Sequence, residues 1–130
     1  MQTLFGTTVT PQSIRDEIAE RTAKLAVTDA HQLSYAVNQI EELGGQLRAL
    51  EQVEGDFADI EQAGAEKGWS AERILMLKIH TVAKLNMRTA DDAWSGRNND
   101  ARRCAHDGRQ EVLQNVLRDL DSELRVVLAN

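Results

Sequence analysis

Apolar residues recur every three or four positions along most of the chain, which is the spacing of a helix with one buried face. The alternation of apolar and polar residues that a half-buried strand needs is almost absent. Residues 1–10 are the exception, because this short stretch is rich in β-branched residues and predicts an extended arm. The pattern therefore predicts an all-α fold, a compact bundle of five or six helices, with residues 11–130 as a single helical domain.

The first helix is predicted to begin at Pro11, directly after a capping residue. The hydroxyl of Thr10 can accept a hydrogen bond from the first turn, where the missing N–H of proline would have no partner anyway. Thr28 or Asp29 is the predicted cap of the second helix, which these residues precede.

A pair of glycines, Gly44-Gly45, interrupts the apolar repeat of the second helix. Such a pair can end a helix, bend it, or allow another helix to cross at close range, and the neighbouring residues do not decide among the three. The helical period then resumes and continues to Gly64 and Gly68, which mark the end of the segment.

The segment after Gly68 is predicted to form a helix over residues 71–87, capped by Ser70. This helix is apolar on most sides, which is typical of the central helix of a bundle. Thr89, with an acidic residue three positions later, has the form of a capping box and predicts a further helix. The turn-rich residues 95–100 predict a loop within this region.

The last helix is predicted over residues 109–128, after Gly108. Its apolar residues repeat at spacings of four and three, which suit a bundle helix and a coiled-coil seam equally well. The helix therefore either closes the bundle or forms the seam of a homodimer. The seam consists of Leu113, Leu117, Leu120, Leu124 and Val127.

Composition narrows the class of protein. The chain has 130 residues, and its single cysteine cannot form an internal disulfide, which fits a reducing compartment. No apolar run approaches the roughly 18 residues of a membrane span. The first twenty residues lack the basic start and apolar stretch of a secretory signal. We therefore expect a cytoplasmic protein with no membrane partner.

The net charge of −6 is unevenly distributed, because residues 1–66 hold 12 acidic and only 4 basic residues. The acidity peaks in a block without any base, which we call the acidic face. This block predicts a docking surface for a basic partner, or else a solvated helix surface that pairs with the following basic segment. The acidic face consists of Glu51, Glu54, Asp56, Asp59, Glu61 and Glu66.

Residues 67–110 carry the opposite balance, with 9 basic and 5 acidic residues. The densest basic group is a candidate site for phosphates or for a carboxylate-rich partner. The segment has no run of bases and almost no interleaved aromatic residues, so nucleic-acid binding is the third hypothesis for function. The basic group consists of Arg97, Arg102, Arg103 and Arg109.

Paired carboxylates give the strongest enzymatic hypothesis, because two carboxylates one helical turn apart can share Mg²⁺ and hold a diphosphate. The stretch 40–44, Ile-Glu-Glu-Leu-Gly, resembles the start of the metal motif in all-α nucleoside-triphosphate pyrophosphohydrolases of the MazG type, and residues 57–60 resemble that family's second pair. The resemblance implies Mg²⁺ held by residues of two successive helices. The family's next glutamate falls on Gly45 here. The four ligands would be Glu41, Glu42, Asp56 and Asp59.

No complete catalytic constellation is present in the sequence. Cys104 and His106 supply two metal ligands where zinc needs three or four, and no nucleophile elbow, P-loop or dinucleotide fingerprint occurs. We therefore expect no metal or other cofactor. The favoured interpretation is a non-catalytic interaction module that docks a macromolecular partner through the acidic face. It would be an adaptor, a small subunit of an assembly, or an inhibitor that occupies the basic groove of a nucleic-acid-handling enzyme.

Overall fold

The computed structural model describes residues 2–4, 7–95 and 99–129 of the protein, with side chains described for residues 9–90 and 99–129. Two 3₁₀ turns, at Leu25–Val27 and Ala30–Gln32, connect the first two helices. The elements are β1 (Gln2–Leu4), β2 (Thr7–Val9), α1 (Pro11–Lys24), α2 (Leu33–Lys67), α3 (Ala71–Ser95) and α4 (Asp100–Ala129). The prediction of an all-α class is confirmed, but the described part of the chain holds four α-helices instead of five or six.

The N-terminal residues form a small hairpin where a single extended arm was expected. β1 and β2 pair antiparallel, with Gln2 opposite Val9 and Leu4 opposite Thr7. Pairing satisfies backbone groups that a lone extended segment would leave to water. β1 contacts α4, and Val9 packs against the core, so the hairpin lies on the helices.

The predicted cap of α1 is confirmed. The Thr10 hydroxyl accepts a hydrogen bond from the Ser13 backbone N–H at 3.1 Å, and the Ser13 hydroxyl oxygen accepts one from the Thr10 backbone N–H at 3.0 Å. This reciprocal capping box satisfies two N–H groups at the start of the helix. The predicted cap of α2 is wrong, because Asp29 precedes a 3₁₀ turn without a side-chain cap bond and α2 starts only at Leu33.

Gly44-Gly45 neither ends nor divides α2, which continues for 35 residues, a length of about 52 Å at 1.5 Å per residue. The reason is the packing of α4 against this point. A Cβ atom at Gly45 would lie 1.9 Å from the carbonyl oxygen of Ala105, so the two helix backbones are in contact here. Of the three roles considered for the pair of glycines, the structure shows the close helix crossing. No helix boundary lies at this point.

Two further predicted boundaries are also absent. Gly108 lies inside α4, where a Cβ atom would meet the carbonyl oxygen of Glu42 at 2.0 Å. Thr89 lies inside α3 and is fully buried, and its hydroxyl donates to the carbonyl oxygen of Leu85 at 2.9 Å instead of capping a new helix. Because neither Gly108 nor Thr89 starts a new helix, the described part of the chain has fewer and longer helices than the sequence predicted. Most of the loop predicted over residues 95–100 lies outside the described residues, which show α3 up to Ser95 and α4 from Asp100.

The central helix is α4, and the prediction that residues 71–87 form it is wrong. α4 packs against both α2 and α3, which contact each other less. α3 has a narrow buried stripe, whereas its Met76 and Met87 are exposed. The buried side chains of α4 cover about half of its circumference at roughly 100° per residue. The buried core consists of Ile14, Ala49, Leu50, Val53, Leu75, Val82, Val112, Leu113, Val116 and Leu120.

The turn from α2 to α3 confirms two predictions, that Gly68 ends one helix and that Ser70 caps the next. Gly68 ends α2 with φ of +69°, a left-handed conformation that glycine adopts without a steric penalty. The Ser70 hydroxyl then caps α3 by accepting a hydrogen bond from the Arg73 N–H at 3.1 Å. The short connection makes α2 and α3 reverse direction and sets α3 beside α2, so that both helices pack against α4.

Candidate functional site

The six carboxylates of the acidic face all lie on α2, but not on one narrow stripe. At about 100° per residue they spread over roughly 220° of the helix circumference, leaving the remaining arc to the core residues Leu50 and Val53. Five of the six residues are exposed and Asp56 is half-buried. The acidic face is therefore the whole solvent side of the second half of α2.

Two of these carboxylates are neutralised within the chain. Glu51 forms an ion pair with Arg15 of α1 at 3.0 Å, and Glu61 forms one with Lys78 of α3 at 2.6 Å. The Lys78 side chain is only 12 % exposed, and its ammonium group lies 5.0 Å from the centre of the Phe57 ring. Burial of the aliphatic stem and the ring contact hold this lysine in place, so its pair with Glu61 helps to join α2 to α3.

The other four carboxylates are Glu54, Asp56, Asp59 and Glu66, which we call the unpaired carboxylates. No ion pair joins them to a cation in the ranges that the structure describes. Asp56 and Glu66 accept hydrogen bonds of 3.3 to 3.4 Å from glutamines one turn earlier, Gln52 and Gln62. Asp59 and Glu66 are seven residues apart, so both point in nearly the same direction, about 10 Å apart along the helix.

The carboxylates of the magnesium hypothesis are not brought together within the chain. That hypothesis needs Glu41 and Glu42 on one helix and Asp56 and Asp59 on the next, but all four lie on α2. The 14 residues from Glu42 to Asp56 span about 21 Å at 1.5 Å per residue, far beyond the reach of one ion. Among the described side chains, no three His, Cys, Asp or Glu residues are close enough to hold a metal ion.

Glu42 instead faces a second carboxyl group across the crossing of α2 and α4. Burial raises the pKa of the Glu111 carboxyl, the hydrogen bond from Gln46 opposes this shift, and the neighbouring Glu42 carboxylate raises the pKa further. Gln46 donates to Glu111 at 3.0 Å. Sequence spacing gave no indication of this pair, because its members are 69 positions apart and meet only through the close crossing.

The predicted basic group is divided by the structure. Arg97 lies outside the described residues, and Arg103 forms an ion pair with Asp100 at 2.9 Å. Arg102 and Arg109 line a groove between α2 and α4, and Arg48 of α2 lines the same groove. Sequence reasoning missed Arg48. The available signal was its position three residues after Gly45, on the helix that the glycines bring against α4.

Other bases of the 67–110 segment serve local contacts. Lys67 and Arg73 lie 5.3 and 4.9 Å from the centre of the Trp69 ring, on either side of the α2–α3 turn in the sequence. Cationic groups at these distances are attracted to the ring and help to fix the turn. Several basic residues of the 67–110 segment are therefore engaged within the protein, and fewer are available to bind a nucleic acid than the composition of the segment indicates.

The predicted oligomer seam is used inside the chain. Leu113 and Leu120 are core residues, and Leu117, Leu124 and Val127 pack against the core while remaining partly exposed. Val126 and Leu128, which lie outside the seam, are the exposed apolar residues of this part of α4. The sequence left open whether these residues close the bundle or form the seam of a homodimer. The described contacts fit closure of the bundle.

Cys104 is a half-buried free thiol on α4. Burial raises the pKa of the Cys104 thiol, and the carboxylates of Asp107 and Glu42 raise it further. A thiol with a raised pKa holds its proton at neutral pH and is a poor nucleophile. The electrostatics around Cys104 therefore do not favour thiolate chemistry.

None of the helices in the described ranges is long and apolar enough to cross a membrane. In comparisons with known proteins, no family model, no curated protein and no solved structure matches this chain.

Proposed function

We propose that the protein is a non-catalytic interaction module that binds a basic surface of a macromolecular partner through the unpaired carboxylates of α2. The observation that carries the proposal is the difference between these four residues and their neighbours Glu51 and Glu61. The neighbours have cationic partners on α1 and α3, whereas Glu54, Asp56, Asp59 and Glu66 have none in the described part of the chain.

The rigidity of α2 supports this role. Its inner side is held by core residues such as Leu50 and Val53, and its capped end at Gly68 is fixed by the turn to α3. Charged side chains on a rigid helix are already positioned for a partner, which lowers the entropic cost of binding. Asp59 and Glu66, two turns apart, fit cationic groups about 10 Å apart on the partner.

Complementary charge of this kind steers association and selects partners more than it adds affinity. An adaptor, a small subunit and an inhibitor all fit this description. The inhibitor would occupy a basic groove that otherwise accepts nucleic acid. The magnesium-dependent pyrophosphohydrolase is not proposed, since its carboxylates are separated along one helix.

The test is an affinity purification from the native cell lysate with two charge-reversed variants. Asp59→Lys with Glu66→Lys changes the unpaired carboxylates, and Asp29→Lys with Glu123→Lys makes the same change in net charge at exposed positions elsewhere. We expect one stoichiometric partner to be retained by the wild type and by the Asp29/Glu123 variant and lost by the Asp59/Glu66 variant. The wild-type complex should weaken as salt rises.

Retention of the same partner by the Asp59/Glu66 variant would refute the acidic face as the binding surface. Circular dichroism of the three proteins should be superimposable, because all four substituted residues are exposed on helix surfaces or in a turn.

A further inference from the structure

A groove of about 370 Å³ lies beside the crossing of α2 and α4, away from the unpaired carboxylates. Its volume is at the lower end of the range of small-molecule sites, roughly 300–1,000 Å³. Eight residues line it, among them Glu41 and Arg48 of α2 and Arg102, Ala105 and Arg109 of α4. Three of the eight lining residues are arginines.

The arginines converge here because of the glycine crossing. Gly45 brings the backbone of α2 against Ala105, so no space remains between the helices for long side chains at this level. Glu41 and Arg48 are two turns apart on α2, and Arg102 and Arg109 are two turns apart on α4, so each pair lies along one side of its helix. The two rows flank the contact point and face the same groove.

Among the described residues, these three arginines lack the carboxylate partners that half of the protein's other Lys and Arg residues have. In the described part of the chain six basic residues form ion pairs, but no ion pair joins Arg48, Arg102 or Arg109 to a carboxylate. Glu41 lines the groove without coming within ion-pair distance of them. The Nε of Arg48 donates to the carbonyl oxygen of Gly44 at 3.3 Å, which leaves its terminal nitrogens without a bond in the described residues.

Arg109 gives the most specific indication. Its Nε is buried and has no hydrogen-bond partner in the described part of the protein. A buried donor on a charged group is costly unless an acceptor meets it, and native proteins rarely leave one without a partner. Arg109 also lines the groove, so an anion bound there would lie beside its guanidinium group and offset the electrostatic cost of this burial.

We propose that this groove binds a small phosphate-bearing molecule, with Arg48, Arg102 and Arg109 as the phosphate ligands. Three arginines and one glutamate give a formal charge of +2, which matches the charge of about −1.5 to −2 on a phosphate monoester at neutral pH. The planar guanidinium group presents paired donors that fit the oxygens of a phosphate.

The occupant is a small molecule in preference to a nucleic acid. The protein carries a net charge of −6 and Glu41 lines the groove itself, so an extended polyanion would be repelled beyond the three arginines. A single phosphate group needs only the short distance over which the arginines converge. This proposal concerns a different surface from the acidic face and does not depend on it.

The test is a titration of the uniformly ¹⁵N-labelled protein with inorganic phosphate at constant ionic strength, followed by backbone amide shifts. We expect shifts concentrated in residues 41–48 and 101–109, saturating at millimolar phosphate or below. Parallel titrations with a sugar phosphate and with sodium acetate separate an organic phosphate monoester from free phosphate and from any small anion. Scattered or absent shifts with both phosphates would overturn the proposal.

Single-residue variants test whether the named arginines bind the phosphate. Arg102→Gln and Arg48→Gln should each weaken phosphate binding about tenfold or more, as expected from the loss of a hydrogen bond to a charged group. Arg125→Gln is the matched control, because Arg125 is exposed on α4 and its one ion pair among the described residues is with Asp121. Glu41→Gln should strengthen binding, since it removes the one carboxylate of the lining.

Equal affinity of Arg102→Gln and Arg125→Gln would refute the site, and weaker binding by Glu41→Gln would contradict its electrostatic basis. A single-stranded oligonucleotide that competes with phosphate equally well with and without a 5′-phosphate would overturn the small-molecule assignment. The shift map of the wild type remains decisive if a variant fails to fold.

Discussion

Gly45 of α2 and Gly108 of α4 are reciprocal partners in one helix crossing. A Cβ atom at Gly45 would lie 1.9 Å from the carbonyl oxygen of Ala105, and one at Gly108 would lie 2.0 Å from the carbonyl oxygen of Glu42. Real Cβ atoms cannot approach a backbone oxygen so closely, so each glycine is required by the other helix. The crossing sets the register of α2 against α4, and the Glu42–Glu111 pair and the arginine groove both lie beside it.

Gly45→Ala should lower the free energy of unfolding by at least about 2 kcal/mol, because the added methyl group can be accommodated only by separating two helix backbones. Gly44→Ala is the matched control. Its Cβ would meet nothing nearer than an Arg48 side-chain nitrogen at 3.9 Å, so it should stabilise the helix by about 0.5–1 kcal/mol. Urea denaturation of the two variants measures the difference, and equal stabilities would show that the backbones do not touch at Gly45.

Gly68→Ala should destabilise the protein by about 1 kcal/mol, because its φ of +69° is unfavourable for a residue with a Cβ atom although the space around it is open. Gly55→Ala provides the comparison. Gly55 is exposed in the interior of α2 with no atom near its Cβ position, and alanine there should stabilise by about 0.5–1 kcal/mol. The prediction fails if both substitutions shift the thermal midpoint in the same direction.

Leu120→Ala should cost about 2–5 kcal/mol, the range for deleting a buried leucine side chain. Leu120 is only 5 % exposed and belongs to the core, whereas Leu128, on the same helix, is 60 % exposed. Leu128→Ala should therefore change stability by less than about 1 kcal/mol. A concentration-dependent thermal midpoint for the wild type that is lost in Leu120→Ala would instead assign this leucine to a dimer interface.

Glu111→Gln should become more stable relative to the wild type as pH rises from about 4 to about 7. Burial raises the pKa of Glu111 in the folded protein above its ordinary value of 4.5, and the Glu42 carboxylate adds to this shift against the hydrogen bond from Gln46. The unfolded chain therefore loses its proton first. The favourable contribution of the protonated group is complete below the unfolded pKa and is lost as pH rises through the folded pKa.

Glutamine has no proton to lose and can still accept the hydrogen bond from Gln46. Chemical denaturation of both proteins across this range measures the difference in the free energy of unfolding. A difference that stays constant with pH, or that changes in the opposite direction, would contradict the burial of the Glu111 carboxyl.

Features that depend on a few neighbouring residues were predictable from the sequence. Thr10 and Ser70 cap helices, and Gly68 ends one, because each role is decided by bonds within one turn of the chain. The all-α class followed from a period that extends over most of the chain. These signals are local, so a single sequence contains them completely.

Features that depend on distant partners were not predictable. Whether Gly44-Gly45 ends a helix or lets another helix approach is decided by α4, which follows about 60 residues later. The same holds for the pairing of Glu61 with Lys78 and for the position of Arg48. The candidate sites also depend on distant partners. The sequence shows which residues are charged, but the packing of the helices decides which charges form ion pairs and which arginines converge on the groove.

The packing of α4 against both α2 and α3 has a consequence for synthesis of the protein. α2 and α3 leave the ribosome before α4, with the apolar stripes that contain Leu50, Val53, Leu75 and Val82 not yet covered by it. These stripes stay exposed until the residues of α4 up to Leu120 have emerged, because α4 covers most of both. The nascent chain therefore passes through a long stage in which it is open to aggregation and to chaperones, and folding is completed by its last described helix.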